Sequence, residues 1–355
     1  MNLLDHHTII LGINRAEEGI IIVYYVTKFI KDSFILLLFC HFVFLFLFAE
    51  LVNKLSLFGK IPGSFFNVNT IFLSIILEAI PFILLGVFVS AIIQAFVSEN
   101  TIQKIVPRNA YLAVIPAALI GILFPICECA IIPVVRRLMK KGMPAHVGIV
   151  FMLSAPIINP VVYASTYFAF KSTPYMANAR MFVSFICTIV IGLIVYHFFR
   201  KADILRVEKH IHQHDHHHPQ KNKLLTTFYH ASDELFDMGK FLLIGAFLAS
   251  LFQVFFDRNV LLSLGTSTTG APAVMMGLSY VLSVCSAADA FIASSFSSTF
   301  TKGSLLAFLV FGPMLDIKNT LMLFAYFKKR FVLFLMFVIP IVVYISISIF
   351  QGIVW

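Results

Sequence analysis

Three runs of the chain, Ser33–Leu51, Arg180–Phe199 and Phe331–Phe350, hold almost no charged residue. Each is long enough to cross about 30 Å of hydrocarbon at about 1.5 Å per helical residue. A soluble fold would have to bury several such helices on every side, and 355 residues cannot supply the surrounding layer. Composition agrees. The residues are 60% apolar and only 12% charged, where soluble proteins carry about 25%, and mean hydropathy is +0.94. The sequence therefore predicts an all-α, polytopic membrane protein whose first partner is the lipid bilayer.

Apolar windows place eight to nine spans, near Ser33–Leu51, Thr70–Val97, Ala110–Phe124 running brokenly to Val135, Met143–Phe170, Asn178–Phe199, Leu235–Phe256, Ala271–Phe296, Gly303–Phe327 and Phe331–Gln351. Residues 201–233 form the one long hydrophilic segment. It separates a first membrane repeat (70–200) from a second (234–355), and an N-terminal segment with the first span (1–69) precedes both. The two halves share breakers and polar residues in the same order. Gly86 and Gln94 align with Gly245 and Gln253, Glu78 with Asp237, Cys127 with Cys285, Pro156 with Pro313, and Asn159 with Asp316. This order predicts an internal duplication.

The net charge of +9 is no nucleic-acid footprint, because its Lys and Arg sit in short stretches between spans, such as Arg136, Arg137, Lys140, Lys141 and Lys328, Lys329, Arg330. Such charges favour the cytoplasmic side. Four spans per half imply parallel repeats, yet if every span crosses, these two basic clusters fall on opposite sides of the membrane. A broken or re-entrant segment in each half removes the conflict.

Polar groups inside spans are expensive: a carboxylate at a helix centre costs about 2.5–3.5 kcal/mol on insertion scales. The chain places them beside helix breakers. Pro125, Cys127, Glu128, Cys129 and Pro133 form one cluster, in which two thiols and a carboxylate make a soft ligand set. The bland alternative is a kinked span with Glu128 snorkelling. Pro156, Asn159 and Pro160 interrupt a second span, and Pro313 and Asp316 a third. Interrupted helices in matching positions of two halves point to a transporter's binding site; the alternative is two proline kinks with Asp316 neutralised by Lys318. Ser283, Cys285, Ser286 and Asp289 add a polar stripe. Cys127, Glu128, Cys129, Asn159, Cys285, Asp289 and Asp316 are thus the candidate substrate ligands. Glu78 and Asp237 read as helix-entry residues or proton-linked gates, and Cys40 and Cys187 as small hydrophobes.

Histidines 210, 212, 214, 216, 217 and 218 crowd the central loop: His210, His212, His214, His216, His217 and His218 predict weak capture of zinc or another divalent metal. A solvated linker is the alternative, and no other cofactor is implied. The sequence contains no H-E-x-x-H, nucleophile–base signature or Walker A pattern, which argues against an enzyme and leaves energy to a gradient or a separate subunit.

The stretches PICECAIIPVVRRLMKKGMP (125–144) and LSAPIINPVV (153–162) resemble the bacterial predicted-permease family that includes the organoarsenical efflux permease ArsP, and within it the YcgR-type permeases of Bacillus. The resemblance runs from about Thr70 to the C-terminus. It implies a multi-pass permease of the bacterial plasma membrane, built from two related halves, and some members extrude trivalent organoarsenicals. Carried onto this sequence, it marks Cys127, Cys129, Pro156, Asn159 and Pro160, and it implies a possible second membrane-protein subunit. The expected function is export of a small thiophilic solute, with zinc or another divalent metal as the alternative substrate, or a membrane subunit of a metal-responsive complex.

Overall fold

The computed structural model describes residues 63–96, 109–123, 127–200, 203–206, 223–255 and 270–355, with isolated positions at 33, 37, 40, 98 and 107. The expected histidine metal site at 210–218 lies outside the described residues, as do Pro125 and most of the expected first span. Among the described residues there are twelve helices: α1 Gly63–Phe96, α2 Ala110–Leu123, α3 Glu128–Lys140, α4 Ala145–Ser154, α5 Pro160–Ala169, α6 Tyr175–Phe199, α7 Lys223–Phe255, α8 Gly270–Leu282, α9 Asp289–Ser295, α10 Lys302–Met314, α11 Ile317–Tyr326 and α12 Lys329–Val354.

Five stretches among these residues are long and apolar enough to cross a membrane: Phe66–Ser90, Tyr175–Phe199, Met238–Phe255, Lys302–Tyr326 and Lys329–Val354. Of the eight to nine spans expected, Ser33–Leu51 lies almost wholly outside the described residues, and three others are built as two short helices around a break, in α2–α3, α4–α5 and α8–α9. The outer surface suits hydrocarbon. Phe337, Ile341, Ile345, Ile349 and Ile353 of α12, four residues apart, are all exposed along one stripe. By contrast, α4 and α10 are apolar all round and buried, so they form the centre of the bundle.

Side-chain contacts fix the direction of each helix. At one end, Arg136 stacks 4.7 Å over Tyr326, Lys141 donates to the Ile93 carbonyl at 2.8 Å, and His146 meets Tyr196 with ring centres 4.8 Å apart. Residues 203–206 clip to the α11–α12 connection there, through Arg206 N–H to Tyr326 O and Lys328 N–H to Ile204 O, both at 2.9 Å. At the far end, Lys302 lies 5.2 Å over Tyr175, which in turn meets Trp355. Helix α6 thus runs from the far end to the basic end. Its antiparallel neighbour α12 runs back, with Phe182 against Phe350 and Phe199 against Phe331. The α4–α5 pair leaves the basic end, and α10–α11 returns to it. Helix α2 starts beside Tyr196, where Tyr111 meets that ring, and α3 ends at Lys140 on the same side, so α2 and α3 enter and leave by the basic end.

The packing repeats between α1–α6 and α7–α12. Helix α2 packs on α4 as α8 does on α10, α4 on α6 as α10 on α12, and α3 on α4 as α9 on α10. Two contacts cross over: α3 meets α11, and α9 meets α5. Close approach at one of the glycines permits part of this. A Cβ at Gly86 would stand 2.8 Å from Ala130 Cα and 2.9 Å from its carbonyl oxygen, so α1 reaches α3 only because that side chain is missing.

One expected breaker behaves otherwise. Pro133 lies inside α3, which continues through it to Lys140. The proline removes a single amide, the one that would bond the Cys129 carbonyl, while later amides keep their acceptors one turn back.

Candidate functional site

Both interrupted spans restart with the same local chemistry. In the first, α4 ends at Ser154, the Ile157 and Ile158 amides bond back to the Ser154 carbonyl, and Asn159 caps α5. Its Oδ1 accepts from Val162 N–H at 2.9 Å and its Nδ2 donates to the Ala155 carbonyl at 3.1 Å, so one buried side chain ties both edges of the break. In the second, Asp316 caps α11, with Oδ1 accepting from Asn319 N–H at 2.6 Å. The Ile317 amide bonds Ser283 Oγ at 3.2 Å, and Thr320 Oγ1 donates to the Asp316 carbonyl at 2.6 Å. Buried amides at a helix start need such acceptors where no water is present. Pro156 sits in the first break, Pro160 opens α5, and Pro313 is the next-to-last residue of α10.

The two short helices that meet these breaks start alike. Cys127 and Cys285 precede α3 and α9, and each carbonyl accepts from the amides three and four residues on: Ala130 and Ile131 in one case, Ala288 and Asp289 in the other. The backbone at Cys127 is extended (φ −72°, ψ 165°), which turns its thiol towards Cys129 within hydrogen-bonding reach. Residues two apart would otherwise lie about 200° apart on a helix. The Cys285 thiol neighbours Glu78 of α1. Just before it, Ser283 holds a positive φ of 48°, and Gln253 Nε2 caps the Leu282 carbonyl at 2.6 Å, so α8 stops there.

Charge is concentrated where helix starts converge. Glu128, at the first position of α3, lies 4.0 Å (Oε1) from Lys318 Nζ, and Lys318 lies 3.7 Å from Asp316 Oδ2. All three side chains are at most 5% exposed. Glu128 Oε2 and Asp316 Oδ2 are buried without a hydrogen-bond partner among the described residues. Asp289, at the first position of α9, is held differently. Arg180 of α6 forks onto it, Nη1 to Oδ1 at 2.9 Å and Nη2 to Oδ2 at 2.7 Å, and Nη1 also donates to Thr166 Oγ1 of α5 at 2.9 Å. Both oxygens of this candidate ligand are therefore occupied. Among the described residues no group of three or more His, Cys, Asp or Glu is set to hold a metal ion.

Residues 64–352 match the family described as Predicted permease, ArsP_1. The chain belongs to this family. It is 50% identical over 281 residues to UPF0718 protein YcgR of Bacillus subtilis (strain 168), covering 79% of this chain and 96% of that one. It is 38% identical over 280 residues to a Streptococcus mutans serotype c protein named as a subunit of a two-component membrane permease complex, covering 79% and 93%. No solved structure matches the chain. As a family member this permease is a multi-pass protein of the bacterial plasma membrane.

Within the permease, Glu128, Cys129 and Asp316 gather around Lys318, Cys127 lies beside Cys129, and electrostatic contact links Cys285 to Glu128 and Glu78. Asn159 caps the opposite break. Arg180 escaped sequence reasoning because it stands at the margin of an apolar run, where arginine commonly snorkels to the interface. Its signal was the unpaired Asp289, which inside a membrane requires a cation.

Proposed function

We propose that this permease exports a thiophilic solute of the trivalent organoarsenical type through two related halves set in opposite orientation. The path runs through the paired helix breaks, and Cys127, Cys129 and Cys285 are its soft ligands. The observation that carries this reading is the thiol pair at Cys127 and Cys129, held by extended backbone beside Glu128 at the start of a short helix. Thiolates are the natural ligands of soft ions and trivalent arsenic. The opposite orientation is supported by helix direction, because α4–α5 leaves the basic end while α10–α11 returns to it. The basic end, with Arg136, Lys141, Arg206 and Lys328, is then cytoplasmic. The relative named as a complex subunit supports a second membrane protein as partner.

Everted membrane vesicles given phenylarsine oxide test the assignment. Replacing Cys127, Cys129 and Cys285 by serine, one at a time, abolishes accumulation at two or more positions, while Cys187→Ser, remote on α6, leaves it intact. Wild-type accumulation in the triple-serine protein removes thiol ligation. Vesicles that concentrate zinc and not the arsenical would favour the divalent-metal reading.

A further inference from the structure

We propose that Glu128 is the proton-exchanging group of this permease, with Lys318 as its labile counter-ion, so that transport is driven by a proton gradient. This rests on the permease reading above and supplies its energy source.

The comparison of two ion pairs carries the inference. Each short helix, α3 and α9, begins with a buried acid, and each acid is met by a cation from the other set of six helices: Glu128 by Lys318 of α11, Asp289 by Arg180 of α6. The Asp289 pair is closed by a two-pronged fork at 2.9 and 2.7 Å, with a further bond to Thr166. Arginine keeps its proton under all ordinary conditions. Such a pair joins α5, α6 and α9 and exchanges nothing.

The Glu128 pair is open. One ammonium stands between two carboxylates, 4.0 Å from one and 3.7 Å from the other, and each acid keeps one buried oxygen with no hydrogen-bond partner among the described residues. Two carboxylates and one ammonium sum to one negative charge in a region where these side chains are at most 5% exposed. Burial of an uncompensated charge is strongly unfavourable, so the cluster is balanced when one proton or one cation joins it. Asp316 is the poorer proton acceptor, because its Oδ1 is committed to the Asn319 amide at 2.6 Å as the cap of α11. Glu128 remains.

The groups around Glu128 fit this role. Helix α1 contributes Glu78, the start of α11 contributes Asp316 and Lys318, and α3 itself carries Cys129 and, towards the basic end, Arg136, Arg137 and Lys140. The only titratable side chain of α4 is His146, which faces Tyr196 at the basic end. Cys127 and Cys285 complete the shell. On α7, a Cβ at Gly245 would stand 3.1 Å from Lys318 Cα, so the missing side chain lets α7 pack closely against the backbone that carries the lysine. The exchange is a plain proton transfer. Glu128 takes one proton from water reaching it from the far end and releases it towards the basic end, and the thiophilic solute moves the opposite way.

Two readouts separate this proposal from the substrate assignment. Infrared difference spectra of the purified wild type, recorded between acid and alkaline pH, should contain a protonated-carboxyl band. Glu128→Gln should delete it, Asp289→Asn should leave it, and Lys318→Met should make it persist to higher pH. In proteoliposomes with phenylarsine oxide, Glu128→Gln should lose gradient-driven accumulation yet keep exchange of preloaded solute. A band that survives both Glu128→Gln and Lys318→Met unchanged overturns the proposal, as does undiminished gradient-driven accumulation by Glu128→Gln. If the wild type moves no arsenical while the band behaves as stated, the proton site stands and the substrate assignment falls. Should Glu128→Gln not fold, the Lys318→Met spectrum alone decides, since an unshifted band overturns the proposal.

Discussion

Replacing Arg180 by methionine leaves Asp289 charged and buried, 3% exposed, with no cation on either oxygen. Breaking one partner of a buried pair destabilises by about 3–5 kcal/mol, on the order of a hundred- to a few-thousand-fold in the folding equilibrium. The upper part of that range is expected here, because three hydrogen bonds vanish together and one of them, to Thr166, ties in a third helix. Methionine keeps the volume and flexibility, so the loss reports charge and not a cavity. The assay is unfolding in mixed detergent and SDS micelles, followed by far-UV circular dichroism. The double variant Arg180→Met/Asp289→Asn removes both charges and should recover most of the loss, since removing both charges of a buried pair is far less disruptive than stranding one. Arg180→Lys should recover little, because an ammonium cannot fork onto two oxygens. A methionine variant within about 1 kcal/mol of wild type would refute the reasoning. So would a double variant no more stable than the single one.

Two further outcomes follow from the same geometry. Asn159→Ala loses the cap of α5 and the bond to Ala155, an expected loss of about 1–3 kcal/mol in the same unfolding assay; Asn159→Asp, which keeps the acceptor for Val162, should fall between it and wild type. Single cysteines introduced at Lys141 and Lys328 in a cysteine-free background should react with an impermeant maleimide from the same side of the membrane, and one at Lys302 from the other side; labelling of positions 141 and 328 from opposite sides would overturn the helix directions described above.

The breaks were legible because they violate two rules at once. Proline interrupts a helix and polar side chains avoid hydrocarbon, so Pro156 with Asn159 and Pro313 with Asp316 stand out in apolar runs. Pro133 obeys the first rule only locally: it leaves one carbonyl unserved, and the helix carries on. The gathering of Lys318 with Glu128 was not legible, since 190 positions separate them in the chain (318 − 128 = 190) and only the crossing of α3 with α11 joins them. Arg180 was hidden for a different reason. An arginine at the edge of an apolar run has an ordinary reading, snorkelling, and only its distant partner Asp289 reveals the buried one.

Orientation was unreadable by counting, and the cause lies in α2 and α3. Taken as a crossing, that segment gives four spans per half, an even number, and parallel halves. In the structure both of its ends lie at the basic end, with Tyr111 beside Tyr196 and Arg136 beside Tyr326. It therefore turns back before Cys127 and returns to the end it came from. Among α1–α6, the elements that run from one end to the other are then α1, α4–α5 and α6, an odd number, and Lys328 lies at the same end as Lys141. The same turn back places the start of α3 inside the bundle, where it meets the start of α11. Helix starts attract negative charge, and two of them meeting in a buried region favour acids there. Glu128 and Asp316 occupy those positions, and Lys318 is held between them at 4.0 and 3.7 Å.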